Sequence, residues 1–323
     1  MAAGLPFSSA LKSNGFQQKG ENGVYSVKNV CLLIVMAFMA GSAVFLMTSD
    51  RAAANEVTEP RSTWLWDTQE IVTSKDKLLA FMQDRQVGRV YLQIDQSIST
   101  EHYKEFIKQA AAKGIQVHAL DGAPSWVSSK GLAQQRSFFS WVTNYQVKAL
   151  PEEKFKGIHL DVEPYLYEGW NSQYKKTVLA YQTLLIEAHQ SAQRLGLPLA
   201  VDIPFWFDEK NYSNTLGKGK LSEWVIANTD AITIMAYRDT AGSPNGIMEL
   251  VRNEMNNAAA KNKKVSVGVE TVPSTEADFV SFSEEGETYM WEQLAIVKSY
   301  YGNLSSFEGF SIHSLQSWMA WQS

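Results

Sequence analysis

Residues 157–163 read GIHLDVE. Ionisable and apolar side chains alternate, the period-two pattern of a β-strand. His159, Asp161 and Glu163 are therefore expected on one face, with Ile158, Leu160 and Val162 on the other. Carboxylic acids turned toward an interior are costly unless they are paired or used. A strand that is apolar on one side and acidic on the other suits the wall of a closed parallel barrel. There the outer face packs against helices, and the strand ends carry the chemistry.

Working outward, the same kind of segment recurs from residue 62 to the end. Strands are expected at Thr63–Asp67, Gly88–Asp95, Ile115–Asp121, Gly157–Glu163, Leu199–Pro204, Ala231–Tyr237, Val265–Glu270 and Gly309–His313, each rich in β-branched or aromatic residues. Helical patterns fill the gaps: Lys75–Gln83, Glu101–Lys113, Leu132–Lys148, Tyr174–Leu195, Leu221–Asn228, Ile247–Lys261 and Tyr289–Tyr300. Thr73-x-x-Asp76 fits a capping box, Gly114 a helix stop, and Gly196 with Pro198 another. Eight strands alternating with helices predict an α/β fold, a (β/α)8 TIM barrel over residues 62–323. An open doubly wound sheet is disfavoured, since no Gly-rich phosphate loop follows the first strand.

The C-terminal strand ends, where such barrels build their sites, are acidic nearly all the way round. They carry Asp67, Asp95, Asp121, Asp161 with Glu163, Asp202, Asp239 and Glu270, and the last strand ends in His313. Carboxyl groups crowded at one rim raise one another's proton affinity, as a proton donor working near neutral pH requires. Isolated Asp residues also cap loops and helix N-termini, a competing role for Asp67, Asp95, Asp121, Asp202 and Asp239. Trp66, Trp126, Tyr165, Tyr167, Trp206 and Trp318 fall near strand ends and offer faces for sugar rings, with Trp206 in DIPFWFDE the first choice; large aromatics also fill cores.

KGIHLDVEPY at 156–165 resembles the fourth-strand motif of the family-18 glycoside hydrolases, the chitinase-like barrels, Asp-x-x-Asp-x-Asp-x-Glu. Asp161 and Glu163 match its last two acids, while Lys156 and His159 stand in place of the first two. ITIMAYRD at 232–239 resembles that family's Met-x-Tyr-Asp segment through Met235 and Tyr237, and GFSIHSLQSW resembles its closing strand, with His313 where a Trp usually stands. The resemblance implies a retaining glycosidase. Glu163 would protonate the leaving oxygen, Asp161 would orient a 2-acetamido group, and Tyr237 would donate a hydrogen bond to it. His159 would hydrogen-bond Asp161 and hold it ionised. Val162-Glu163-Pro164 together with Glu270 also resembles the two-glutamate barrel clan. In that scheme Glu270 is a nucleophile about 5 Å from the acid/base Glu163. The expected substrate is an envelope or extracellular polysaccharide, with His159, Asp67, Asp95, Asp121, Asp202, Trp206, Asp239 and His313 as the pool of substrate contacts.

The chief rival is a non-catalytic sugar-binding barrel of the chitinase-like lectin type, against which the filled acid position argues. No cofactor and no metal are expected. The five His residues, at 102, 118, 159, 189 and 313, show no zinc-ligand spacing, and no Gly-x-Ser-x-Gly elbow is present. A net charge of −5 offers no basic surplus for nucleic acid. The single cysteine, Cys31, excludes a disulfide framework.

Cys31 lies in VCLLIVMAFMAGSAVFLMT, a stretch without a charge that is long enough to span a bilayer. Lys12, Lys19 and Lys28 precede it, which predicts a cytoplasmic N-terminus. The expected organisation is a disordered cytoplasmic tail over 1–29, a transmembrane anchor or signal segment over 30–49 in contact with the lipid bilayer, a linker over 50–61, and the barrel outside the cytoplasm. Cleavage near Ala52-Ala53-Ala54 would instead release it as a secreted protein.

Overall fold

The structure is a computed structural model that describes residues 60–321. The expected tail, membrane or signal segment and most of the linker lie outside the described residues. Among the described residues no helix is long and apolar enough to cross a membrane.

Eight parallel strands close into a barrel. They are β1 (Arg61–Leu65), β2 (Val87–Gln93), β3 (Gln116–Asp121), β4 (Gly157–Leu160), β5 (Leu199–Pro204), β6 (Ala231–Met235), β7 (Lys264–Glu270) and β8 (Phe307–His313). Each strand pairs with its sequence neighbours, and β8 returns to β1, with Ser62 beside Ser311. The first strand thus begins inside the segment expected to be linker.

The alternation in the sequence is realised as two separate packing layers. Val90, Leu92, Ile158, Leu160, Val201, Ile203, Ile232, Ile234, Val267 and Ile312 face outward and are buried against helices. Inside the barrel a smaller aromatic cluster forms from Trp64, Tyr91 and Leu120. Tyr91 stacks on the His159 ring at 3.7 Å between centroids. Its hydroxyl lies 3.2 Å from Ser311 Oγ, which in turn lies 2.7 Å from Ser266 Oγ. At the N-terminal end Arg89 makes two hydrogen bonds to Glu308, 3.0 and 3.1 Å, closing the floor.

Several helices start and stop where the sequence says. Tyr174–Leu195 ends on Gly196 in the left-handed conformation at φ 66°, and Thr100–Ala112 is capped by the Ser99 hydroxyl. Three local readings are corrected. Helix Lys75–Asp84 is preceded by Ser74 without a side-chain cap bond, so the Thr73 capping box does not form. The stretch expected as one helix over 247–261 breaks at Val251 into Ile247–Leu250 and Arg252–Ala260. A two-stranded hairpin, Asn211–Asn214 with Gly217–Lys220, was not anticipated.

Candidate active site

β4 is shorter than its alternation implies. Ladder pairing stops at Leu160, and the chain then runs through Asp161 and Val162 to Glu163. The Asp161 amide still donates to the Asp121 carbonyl at 3.1 Å. Gly122 makes this approach feasible, because a Cβ there would lie 2.0 Å from the Asp161 carbonyl oxygen. Glu163 adopts the left-handed region, φ 46° and ψ 60°, just before Pro164, which opens a short 3-10 turn over Pro164–Leu166. A non-glycine residue there costs on the order of 1 kcal/mol and marks a site where geometry is imposed. The Tyr165 hydroxyl donates to Glu163 Oε1. Burial, and then Glu163 itself, push the Tyr165 phenol upward, so it stays a donor.

Glu163 faces a cleft of about 530 Å³, whose walls include Tyr165, Trp206 and Tyr237. Tyr237 is held as a neutral phenol by burial first, then by Glu270, Asp202, Asp161 and Glu163. Asp161 lies in the same field. Burial, then Asp202 and Glu163, push its carboxyl well above the ordinary carboxylate range, against an opposing pull from His313. Its Oδ1 is buried with no hydrogen-bond partner. That oxygen is open to a donor from a ligand or from water.

Asp202 on β5 sits below this group, 4% exposed. Its Oδ1 lies 2.7 Å from His159 Nε2, and its Oδ2 accepts from Trp64 Nε1 at 3.1 Å. His159 is fully buried, and burial with Arg89 lowers it to about 3, so it is neutral. The expectation for His159 is corrected on both counts. It bonds Asp202 rather than Asp161, and it is sealed from any substrate by the Tyr91 and Trp64 rings. Asp161 is accordingly pushed toward its protonated form and is not held ionised.

Glu270 and His313 form a second pair beside this network. His313 Nδ1 reaches both Glu270 oxygens, 3.1 and 2.9 Å, while Glu270 Oε1 also accepts from the Thr271 and Val272 amides, each at 2.8 Å. Trp66 Nε1 donates to His313 Nε2 at 2.9 Å. The His313 imidazole is raised: burial opposes its charge, but the Glu270 hydrogen bond and the surrounding acids outweigh burial.

The other rim acids do different work. Asp67 and Asp95 are exposed and spend their oxygens on turn amides two residues on, Gln69 and Ser97. Asp121 accepts from Gln93 Nε2 and the Gly122 amide. Asp239 lies one residue beyond the cleft wall, its amide donating to the Phe279 carbonyl at 3.0 Å. None of these four lines the cleft that holds Glu163 and Tyr237, and the contacts of Asp67, Asp95 and Asp121 are those of residues that shape loops. Of the aromatic candidates, Trp206 and Tyr165 line the cleft and meet edge to face at 5.0 Å. Lys210 covers the Trp206 ring at 5.0 Å. Trp126 and Trp318 are core, and Tyr167 borders a separate cavity. Phe205, Arg238, Glu276 and Phe279 line the cleft without having been singled out. Arg238 was within reach of the sequence, since it follows Tyr237 at the position of the motif's Asp. The others lie in loops with no periodic signal.

No protein-family model and no curated protein matches this sequence. Solved structures do. The C-terminal domain of a candidate chitinase from Desulfitobacterium hafniense DCB-2 superposes with a TM-score of 0.53 at 11% identity, covering 80% of this chain and 94% of that one. The chain has the fold of the chitinases. A mutant plant class V chitinase from Cycas revoluta, in complex with (GlcNAc)3, gives a TM-score of 0.51 at 13% identity, covering 80% and 95%. A mutant family-18 chitinase from the same plant, in complex with (GlcNAc)4, gives 0.50 at 13% identity with the same coverage. Among the described residues no group of three or more His, Cys, Asp or Glu is arranged to hold a metal ion.

Proposed function

We propose that the barrel is a retaining glycoside hydrolase in which Glu163 is the general acid and base. The observation that carries this reading is that Glu163 and Tyr237 share one cleft, with half-buried Asp161 two residues before Glu163 and its Oδ1 without a protein partner. Glu163 would protonate the departing oxygen, with the Tyr165 hydroxyl on Oε1 fixing its orientation. The unpartnered Asp161 carboxyl would accept the N–H of a 2-acetamido group and aim its carbonyl at the anomeric carbon. Tyr237 would donate to that carbonyl oxygen as it gives up charge to the new bond. The solved chitinases in complex with GlcNAc oligomers make such a sugar the natural first substrate.

The alternative nucleophile, Glu270, is less well placed. Both its oxygens are engaged by His313, Oε1 also by two amides, whereas Asp161 Oδ1 is engaged by no protein group. The filled acid position likewise speaks against a purely sugar-binding barrel. The barrel's export, and a membrane or signal segment at 30–49, belong to the same proposal, since a polysaccharide outside the cytoplasm would be met there.

The test is inhibition by the thiazoline of N-acetylglucosamine, which mimics the cyclised intermediate. Competitive inhibition of glycan cleavage is expected. Indifference to thiazoline, together with labelling of Glu270 by a slow-leaving fluorosugar, would transfer the mechanism to the covalent scheme.

A further inference from the structure

The cleft that presents Glu163 and Tyr237 also presents Arg238. Its guanidinium is held between two aromatic rings, 5.2 Å from the centre of Phe205 and 5.1 Å from that of Phe279. Nη1 donates to the Tyr237 carbonyl at 2.7 Å. Both rings lie within cation–π reach of the guanidinium, and apart from the Nη1 bond its N–H donors have no protein acceptor among the hydrogen bonds of the described residues. Among the described residues no carboxylate comes within ion-pair distance of it. That sets it apart from Arg85 and Arg89, packed guanidiniums that hold Glu287 and Glu308. Glu276 lines the same cleft but is exposed, where its charge is screened by solvent, and half-buried Asp239, the residue after Arg238, feels the Arg238 charge through space without coming within ion-pair distance. Burial disfavours the charged forms of Asp161 and Asp202, which softens their opposition to an anion. A planar fork of donors without a carboxylate, pinned in a cleft wall, is the arrangement that recognises one from a ligand.

We infer that Arg238 binds a carboxylate carried by the sugar in the cleft, so that the substrate is an acidic glycan and not a neutral chitin chain. The inference rests on the proposed hydrolase reading and narrows its substrate class. Two chemistries place a carboxylate on an N-acetylglucosamine backbone: a lactyl ether on O3, and oxidation of C6 to a uronic acid. Arg238 answers to the carboxylate in either case.

The test compares three oligosaccharides of equal length on the full chain: neutral chitotetraose, an alternating tetramer whose second and fourth sugars bear the lactyl ether, and a C6-oxidised tetramer. The kcat/KM for one carboxylated tetramer is expected to exceed that for chitotetraose by tenfold or more, and which one identifies the source. In Arg238→Gln that ratio is expected to fall toward one, with Arg238→Lys restoring only part of it, because an ammonium lacks the fork. A wild-type preference for chitotetraose, or an equal loss on all three in Arg238→Gln, would overturn the inference. Calorimetric binding to Glu163→Gln, which needs no turnover, separates this from the hydrolase reading. A chain that cleaves nothing yet binds a carboxylated tetramer tenfold tighter than chitotetraose, and loses the difference in Glu163→Gln/Arg238→Gln, sinks the hydrolase and keeps the carboxylate site. Equal binding, or none to either acidic tetramer, overturns the site.

Discussion

Trp64 and His159 hold both oxygens of Asp202, and Asp202 in turn acts on Asp161 through space. Continuing the β4–β5 register past Leu160 beside Val201 sets the two acids side by side. A neighbouring carboxylate raises the proton affinity of a buried acid. Replacing Asp202 by Asn therefore removes one cause of the upward shift at Asp161. The limb of the kcat–pH profile that reports Asp161 is expected to move toward lower pH, and an unmoved profile would show that the two acids titrate independently. Under the proposed mechanism, Tyr237→Phe deletes a single donor to an oxygen whose charge changes in the reaction. Its kcat is expected to drop by roughly a hundredfold with KM changed far less, the magnitude for one such donor. These residues were readable to different degrees. Asp161, Glu163 and Tyr237 stood out by alternation and by motif, because polar side chains at strand ends interrupt an apolar pattern. Trp64 and Tyr91 were invisible as partners, since which side chains meet across a barrel depends on strands far apart in sequence.

At the scale of elements, the end of β4 depends on a glycine from its neighbour. Any side chain on Gly122 collides with the Asp161 backbone, whose N, C and O would all lie within 2.8 Å of the added Cβ. Gly122→Ala is expected to displace the Asp161–Glu163 segment and lower kcat by tenfold or more, while most of the strand ladder persists. Far-ultraviolet circular dichroism with steady-state kinetics checks this, and unchanged kinetics would refute it. Strand order and outward faces were legible in advance because period-two patterning is local. The end of β4 was not. The alternation of His159, Asp161 and Glu163 continues the pattern past the last ladder bond, yet Glu163 turns into the left-handed region before Pro164. The break at Val251 and the hairpin after β5 were missed for a related reason: short elements are set by the tertiary surfaces they cover more than by their own periodicity.

For the molecule as a whole, the outer layer contains one acid that serves no part of the cleft. Glu254 is 1% exposed, and burial first, then Asp208, push it up to about 8 against a weaker opposing pull from its own backbone and Ser222. An unfolded chain ionises this carboxyl near pH 4.3, whereas the folded chain keeps its proton until about pH 8. Folding stability attributable to Glu254 therefore falls as pH rises through that window, by an amount on the order of a few kcal/mol. The melting temperature of the wild type is expected to decline between pH 5 and 8 by several degrees more than that of Glu254→Gln; parallel curves would contradict this. The barrel also resembles chitinases at only 11–13% identity. The fold is thus shared by pattern with little identity of residues, and function must be argued from the site. The most direct measurement is glycan cleavage by the full chain and by Glu163→Gln, followed by proton NMR of the freshly released reducing ends. Cleavage with retained anomeric configuration, reduced about a hundredfold or more in the variant, is the expected result. Inverted products would contradict the retaining mechanism, and a variant within a few-fold of wild type would contradict the assignment of Glu163 as the acid.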